Sequence, residues 1–133
     1  MPTRHATCSC GQLRVTCDGE PVRVSICHCL ACQRRTGSVF SAQVRFPKSQ
    51  VRIEGQSSVW SRPGDSGATL NFSFCPICGS TVHWHSTAAP DIVAVAIGAF
   101  ADPGFDPPRH SVYERYRHGW VALPDGPGVE HLD

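Results

Sequence analysis

The spacing of the cysteines restricts this chain more than any other feature. Cys27-His28-Cys29-Leu30-Ala31-Cys32 places three cysteines within six residues, and Cys8-x-Cys10 and Cys75-x-x-Cys78 add two short-spaced pairs. Sulfurs this close in sequence converge on one thiophilic ion more readily than they reach distant disulfide partners with the required Cα and Cβ geometry. Seven of the eight cysteines fall in such groups, so a metal protein is expected rather than a disulfide scaffold.

A chain of 133 residues is expected to form a single domain over 1–133, burying roughly two thirds of its unfolded surface. The formal net charge of +1 gives no field that would draw nucleic acid or an anionic membrane. The longest apolar run, residues 92–101, falls far short of the roughly 20 that span a bilayer. No basic start followed by an apolar segment stands at the N-terminus, so a soluble, cytoplasmic protein is expected, with no nucleic-acid and no membrane partner.

Hydrophobic patterning points to a mainly β fold. Leu13, Val15 and Cys17 alternate with polar residues, which puts Cys17 on a buried strand face. Val22, Val24 and Ile26 alternate up to Cys27, and Leu70, Phe72 and Phe74 alternate up to Cys75, so both cysteine groups begin where a strand ends. Gln33-Arg34-Arg35-Thr36-Gly37-Ser38 suits one helical turn closed by glycine. Further strands are expected around Ala42, Val44 and Phe46, at Val51 and Ile53, at Val59 and Trp60, and at Val82 and Trp84. Residues 92–97, apolar on both faces, read as a central strand. Pro63-Gly64-Asp65-Ser66-Gly67 reads as a loop, and Val112, Tyr113, Tyr116 and Gly119-Trp120-Val121 suggest one or two closing strands. The Pro/Gly-rich residues 123–133 read as a loose tail.

Cys8, Cys10, Cys75 and Cys78 together complete a tetrahedron of four thiolates, the closed set of a structural zinc. The central triplet is one ligand short. An open fourth position is what a catalytic zinc needs, and a thiol is an apt occupant because zinc lowers a bound thiol's pKa and tolerates another soft ligand. The competing reading is a second structural zinc closed by a histidine or by Cys17. Arg34 and Arg35, just after Cys32, suit a substrate carboxylate or a solvated turn. His28 is expected beside the metal or exposed rather than on it, His83 and His85 on one strand face, either reaching a metal or forming a polar outer face, Asp102 as a turn former before Pro103 rather than a general base, and Trp84 and Trp120 in the core.

The order Cys8-x-Cys10-Gly11, Cys27-His28-Cys29-x-x-Cys32-x-Arg34-x-x-Gly37, Phe74-Cys75-Pro76-x-Cys78-Gly79, then Gly98, Pro103 and Trp120, resembles the glutathione-dependent formaldehyde-activating enzyme family, also called the centromere protein V/Gfa-like family. The resemblance runs over residues 4–122. It implies a β-tent fold of antiparallel sheets with two zincs per chain, the structural one on Cys8, Cys10, Cys75 and Cys78 and the catalytic one on Cys27, Cys29 and Cys32. It also implies a carbon–sulfur lyase or synthase activity joining a glutathione-like thiol and a small aldehyde, as in formation of S-hydroxymethylglutathione. A rival reading keeps the fold and makes the domain a non-catalytic zinc-binding interaction module.

Overall fold

A computed structural model of the chain describes residues 2–64 and 66–133; Met1 and Asp65, the latter within the loop expected at 63–67, lie outside the described residues. The period-two alternations become β2 (Arg14–Asp18), β3 (Arg23–Cys27), β4 (Ser41–Pro47), β5 (Val51–Glu54), β6 (Ser58–Pro63), β7 (Thr69–Phe74), β8 (Thr81–Ser86) and β9 (Ile92–Ala96). They are joined by β1 (Thr3–Thr7), β10 (His110–Val112) and β11 (Glu130–His131). Strands β1, β2 and β5 form a three-stranded sheet, and the rest form an eight-stranded sheet in the order β11-β10-β3-β4-β9-β8-β7-β6.

The two sheets enclose the main core. Leu13, Val15 and Cys17 from β2 and the turn before it meet Val44, Phe46, Val93 and Val95 from β4 and β9, all at most 7% exposed. β9 lies between β4 and β8, the central place its unbroken apolar run calls for. The opposite face of the large sheet carries a different row. Cross-strand register aligns Arg23, Arg45, Ala94, Trp84, Phe72 and Trp60 from β3 through β6. The three rings stack in series, with centroids 5.9 Å apart from Trp60 to Phe72 and 5.5 Å from Phe72 to Trp84.

Several expectations need correction. The sheets are largely antiparallel, as expected, with β10 the exception in running parallel to both β3 and β11. The helix α1 (Leu30–Thr36) begins at the cysteine turn itself, three residues before the expected start, because Cys29 caps it by accepting a hydrogen bond from Cys32 N–H. Gly37 closes it as expected, at φ 71° with its N–H on Gln33 O. Residues 119–121 form no strand, and Trp120 is 77% exposed rather than in the core. The C-terminal segment is tied down rather than loose: β11 pairs with β10, and Glu130 N–H and Leu132 N–H donate to Arg109 O and Ser111 O. Among the described residues no helix is long and apolar enough to cross a membrane.

Candidate metal centres and the adjoining cleft

The N-terminal turn and the turn after β7 bring Cys8, Cys10, Cys75 and Cys78 together, with all four sulfurs within 4.8 Å of one another. Each turn uses glycine in the left-handed region, Gly11 at φ 85° and Gly79 at φ 82°, which folds the backbone back toward the sulfurs. Leu13 N–H donates to Cys8 Sγ at 3.3 Å, Ile77 N–H to Cys75 Sγ at 3.4 Å, and the Gln12 side-chain amide to Cys75 Sγ at 3.0 Å. Ser80 hydroxyl and backbone hold the Cys78 thiol down at about 5. The same Gln12 amide group exchanges hydrogen bonds with the Gln56 backbone, 2.8 and 2.9 Å long, which fastens the cluster to the end of β5. That approach requires Gly55, whose φ is +98° and where a Cβ would meet Gln12 O at 2.0 Å. Nothing local in the sequence marks Gln12 for this role, since its partners lie 44 and 63 residues away.

The second group, Cys27, Cys29 and Cys32, gathers its sulfurs within 4.8 Å where β3 runs into α1. Among the described residues neither a histidine nor Cys17 adds a fourth atom to this group; Cys17 lies in the core between the sheets. The three thiols share protons. Hydrogen bonds from Cys27 and Cys29 hold the Cys32 thiol well below its usual value, helped by Ser41 and Arg35, and the matching bonds with burial push Cys27 up. Ser41 is the cross-strand partner of Cys27.

The turn is held from behind. His28 is fully buried, its Nε2 3.3 Å from Ser111 Oγ and its ring 5.8 Å from Phe40, and its backbone N–H donates to Val112 O. Gln33 donates to His28 O at 2.9 Å and to Tyr116 O at 3.2 Å, while its Oε1 lies 2.9 Å from His118 Nε2. His28 thus supports the turn that carries Cys27 and Cys29 and does not join their sulfurs. Ser41, Ser111, Gln33 and His118 were not identifiable from local sequence, because each acts across the sheet or from residues 111–118.

In front of the triplet lies a cleft of about 550 Å³, within the size range of small-molecule sites. Cys27, Cys29 and Cys32 stand at one end and Trp84 and Phe72 line its floor. Arg35 reaches over both rings, 4.4 Å from the Trp84 centroid and 4.7 Å from that of Phe72. Arg34, one residue earlier and so rotated about 100° around the helix, is exposed and does not line the cleft. His83 is buried and His85 exposed, which divides a pair expected on one polar face; neither lines this cleft. Asp102 makes the expected turn by accepting from Gly104 N–H at 2.9 Å.

Two clusters of thiols able to hold metal ions, one enclosed by two turns and one opening on a cleft, define a small mainly β metal-site protein. Residues 3–116 match the sequence profile of the glutathione-dependent formaldehyde-activating enzyme, and the chain belongs to that family. A crystal structure of a Rhodobacter sphaeroides protein is similar in fold, at TM-score 0.56 and 21% identity over 77% of this chain and 91% of that one. No curated protein gives a significant match.

Proposed function

We propose that this protein is a zinc-dependent carbon–sulfur lyase or synthase that joins a glutathione-like thiol to a small aldehyde. The observation that carries the reading is the cluster of three cysteines, without a fourth described ligand, opening on a cleft in a member of this family. Cys27, Cys29 and Cys32 would hold the zinc, which when bound would supply the Lewis acidity that brings a thiol's pKa into the neutral range. In the reaction the thiol sulfur bonds to the aldehyde carbon, the carbonyl π bond opens, and the thiol proton ends on the new hydroxyl.

The chain's own residues prepare that exchange. Hydrogen bonds from Cys27 and Cys29, aided by Ser41 and Arg35, favour negative charge on the Cys32 sulfur. His28, Ser111 and Gln33 fix the turn that aims them. Trp84 and Phe72 give the cleft an apolar, aromatic floor. A structural zinc on Cys8, Cys10, Cys75 and Cys78 would clip the first turn to the end of β7.

The test is exchange NMR of ¹³C-formaldehyde with glutathione, in the presence of zinc-loaded protein and of its Cys29→Ser variant. Accelerated adduct formation by the parent and its loss in the variant are expected. A fully metallated parent that leaves the uncatalysed rate unchanged rejects the enzyme in favour of an interaction module.

A further inference from the structure

Beyond the triplet the cleft carries positive charge that the fold does not use. Arg23, Arg35, Arg45 and Arg62 line it, and no aspartate or glutamate does so among the described residues. Arg4, Arg52, His110 and His131 find carboxylates elsewhere in the molecule, but none of the four cleft arginines forms an ion pair among the described residues. Arg35 has the faces of Trp84 and Phe72 for company. Arg23 and Arg62 each leave a buried Nε without a hydrogen-bond partner.

The placement of Arg23 and Arg45 is the sharpest observation. They stand directly opposite each other on β3 and β4, and like charges so paired oppose folding. Burial and the nearby Arg23 charge also push the Arg45 pKa down. Guanidinium pairs of this kind become favourable when an oxyanion sits between them, since each offers a planar fork of donors.

We propose that Arg23 and Arg45, flanked by Arg62, form an anion subsite that receives the end of the thiol substrate remote from its sulfur. The assignment rests on the reading of the cysteine triplet as the thiol-activating centre. Cys27, Ser25 and Arg23 line the cleft in alternate positions of β3, so the subsite lies four residues along the strand, about 13 Å at 3.3 Å per residue. The substrate is therefore an elongated thiol with an oxyanion, carboxylate or phosphate, at its far end. No described lining residue carries a carboxylate to pair with an ammonium group, so the subsite favours an anion without a cation beside it. In glutathione the glycine carboxylate meets the charge requirement, with the long side chains of Arg23 and Arg45 reaching back along the cleft to cover the rest of the span, and the zwitterionic glutamyl end faces solvent.

Calorimetric titration of the zinc-loaded protein with sulfur-blocked probes isolates the subsite from metal chemistry. The probes are S-methylglutathione, its glycine monoethyl ester and S-methyl-4′-phosphopantetheine. The parent is expected to bind S-methylglutathione, with Kd rising about tenfold or more in Arg45→Gln, as for loss of a charge-assisted bond. The ester should show the same loss on the parent and little further loss on the variant. Arginine-dependent binding of the phosphopantetheine probe alone would keep the subsite and assign it to a phosphate-bearing thiol. Kd values within twofold of the parent in Arg45→Gln and in Arg23→Gln/Arg45→Gln, or a parent that binds no probe at millimolar concentration, overturn the proposal.

Removing one of two opposed charges should leave the melting temperature of Arg45→Gln at or above that of the parent. A lower melting temperature with unchanged affinity marks a structural arginine and also overturns it. Arginine-dependent probe binding by a protein that fails to speed the condensation would reject the enzyme reading while the anion subsite stands. Catalysis without arginine-dependent binding would reject the subsite alone.

Discussion

Replacing Cys75 by serine tests whether the four-cysteine cluster is a long-range clip. Cys10 Sγ and Cys75 Sγ lie 3.7 Å apart although 65 residues separate them. In the chain-entropy treatment of a cross-link, closing a loop of that length in the unfolded chain costs about 4 kcal/mol, which the clipped protein avoids on folding. Cys27 and Cys32 enclose only six residues, and the same treatment gives about 2 kcal/mol for that loop. A chain of 133 residues has an unfolding entropy of about 0.28 kcal/mol/K near 60 °C, so the long loop is worth about 14 °C in Tm and the short one about 7 °C. Serine also weakens the acceptor now serving Gln12 and Ile77, which adds to the loss. Differential scanning calorimetry of metal-loaded Cys75→Ser and Cys29→Ser, each with and without a zinc chelator, measures both shifts. A Cys75→Ser shift no larger than that of Cys29→Ser would refute the clip.

Three further perturbations follow from particular contacts. Gly55→Ala should lower stability by about 3 kcal/mol or more in urea melts, because its Cβ collides with Gln12 O and its φ is left-handed. Ser111→Ala leaves buried His28 Nε2 without its partner and should cost about 1–2 kcal/mol in the same assay. Burial, and then the His85 charge, push the His83 pKa down to about 4 from 6.5. The folded value lies below the unfolded one, so the stability it represents is intact above pH 6.5 and is lost as pH falls toward 4. The full loss is about 3 kcal/mol. His83→Leu should flatten that part of the pH–stability curve, and an unchanged slope would reject the assignment.

What the sequence revealed and what it hid divide along the range of the interactions. The cysteine groups were readable because each turn is local, three to six residues, two of them followed directly by a glycine where the backbone reverses. The strands with a buried apolar face, such as Val44 and Phe46 in β4, were readable for the same reason. β1 was missed because Thr3–Thr7 offers only Ala6 as an apolar position, and pairing with β2 makes it a strand. The early start of α1 was missed because a cysteine takes the capping place that serine or aspartate usually holds. The cleft arginines were hidden for a different reason. Arg23 and Arg45 occupy polar positions of alternating strands, which reads as a solvent face, and only the register with Trp84 and Phe72 shows that they share one cleft. Trp120 misled because aromatic character favours the core, whereas it follows the irregular residues 117–119, is 77% exposed and packs against the edge of His118.

Native mass spectrometry of the purified protein during a glutathione titration addresses the central claim most directly. The account predicts two zinc ions per chain in the parent and one in Cys27→Ser/Cys29→Ser, with one glutathione retained by the parent and none by the variant. A parent that holds a single zinc, or two zincs and no thiol at saturating glutathione, would contradict it.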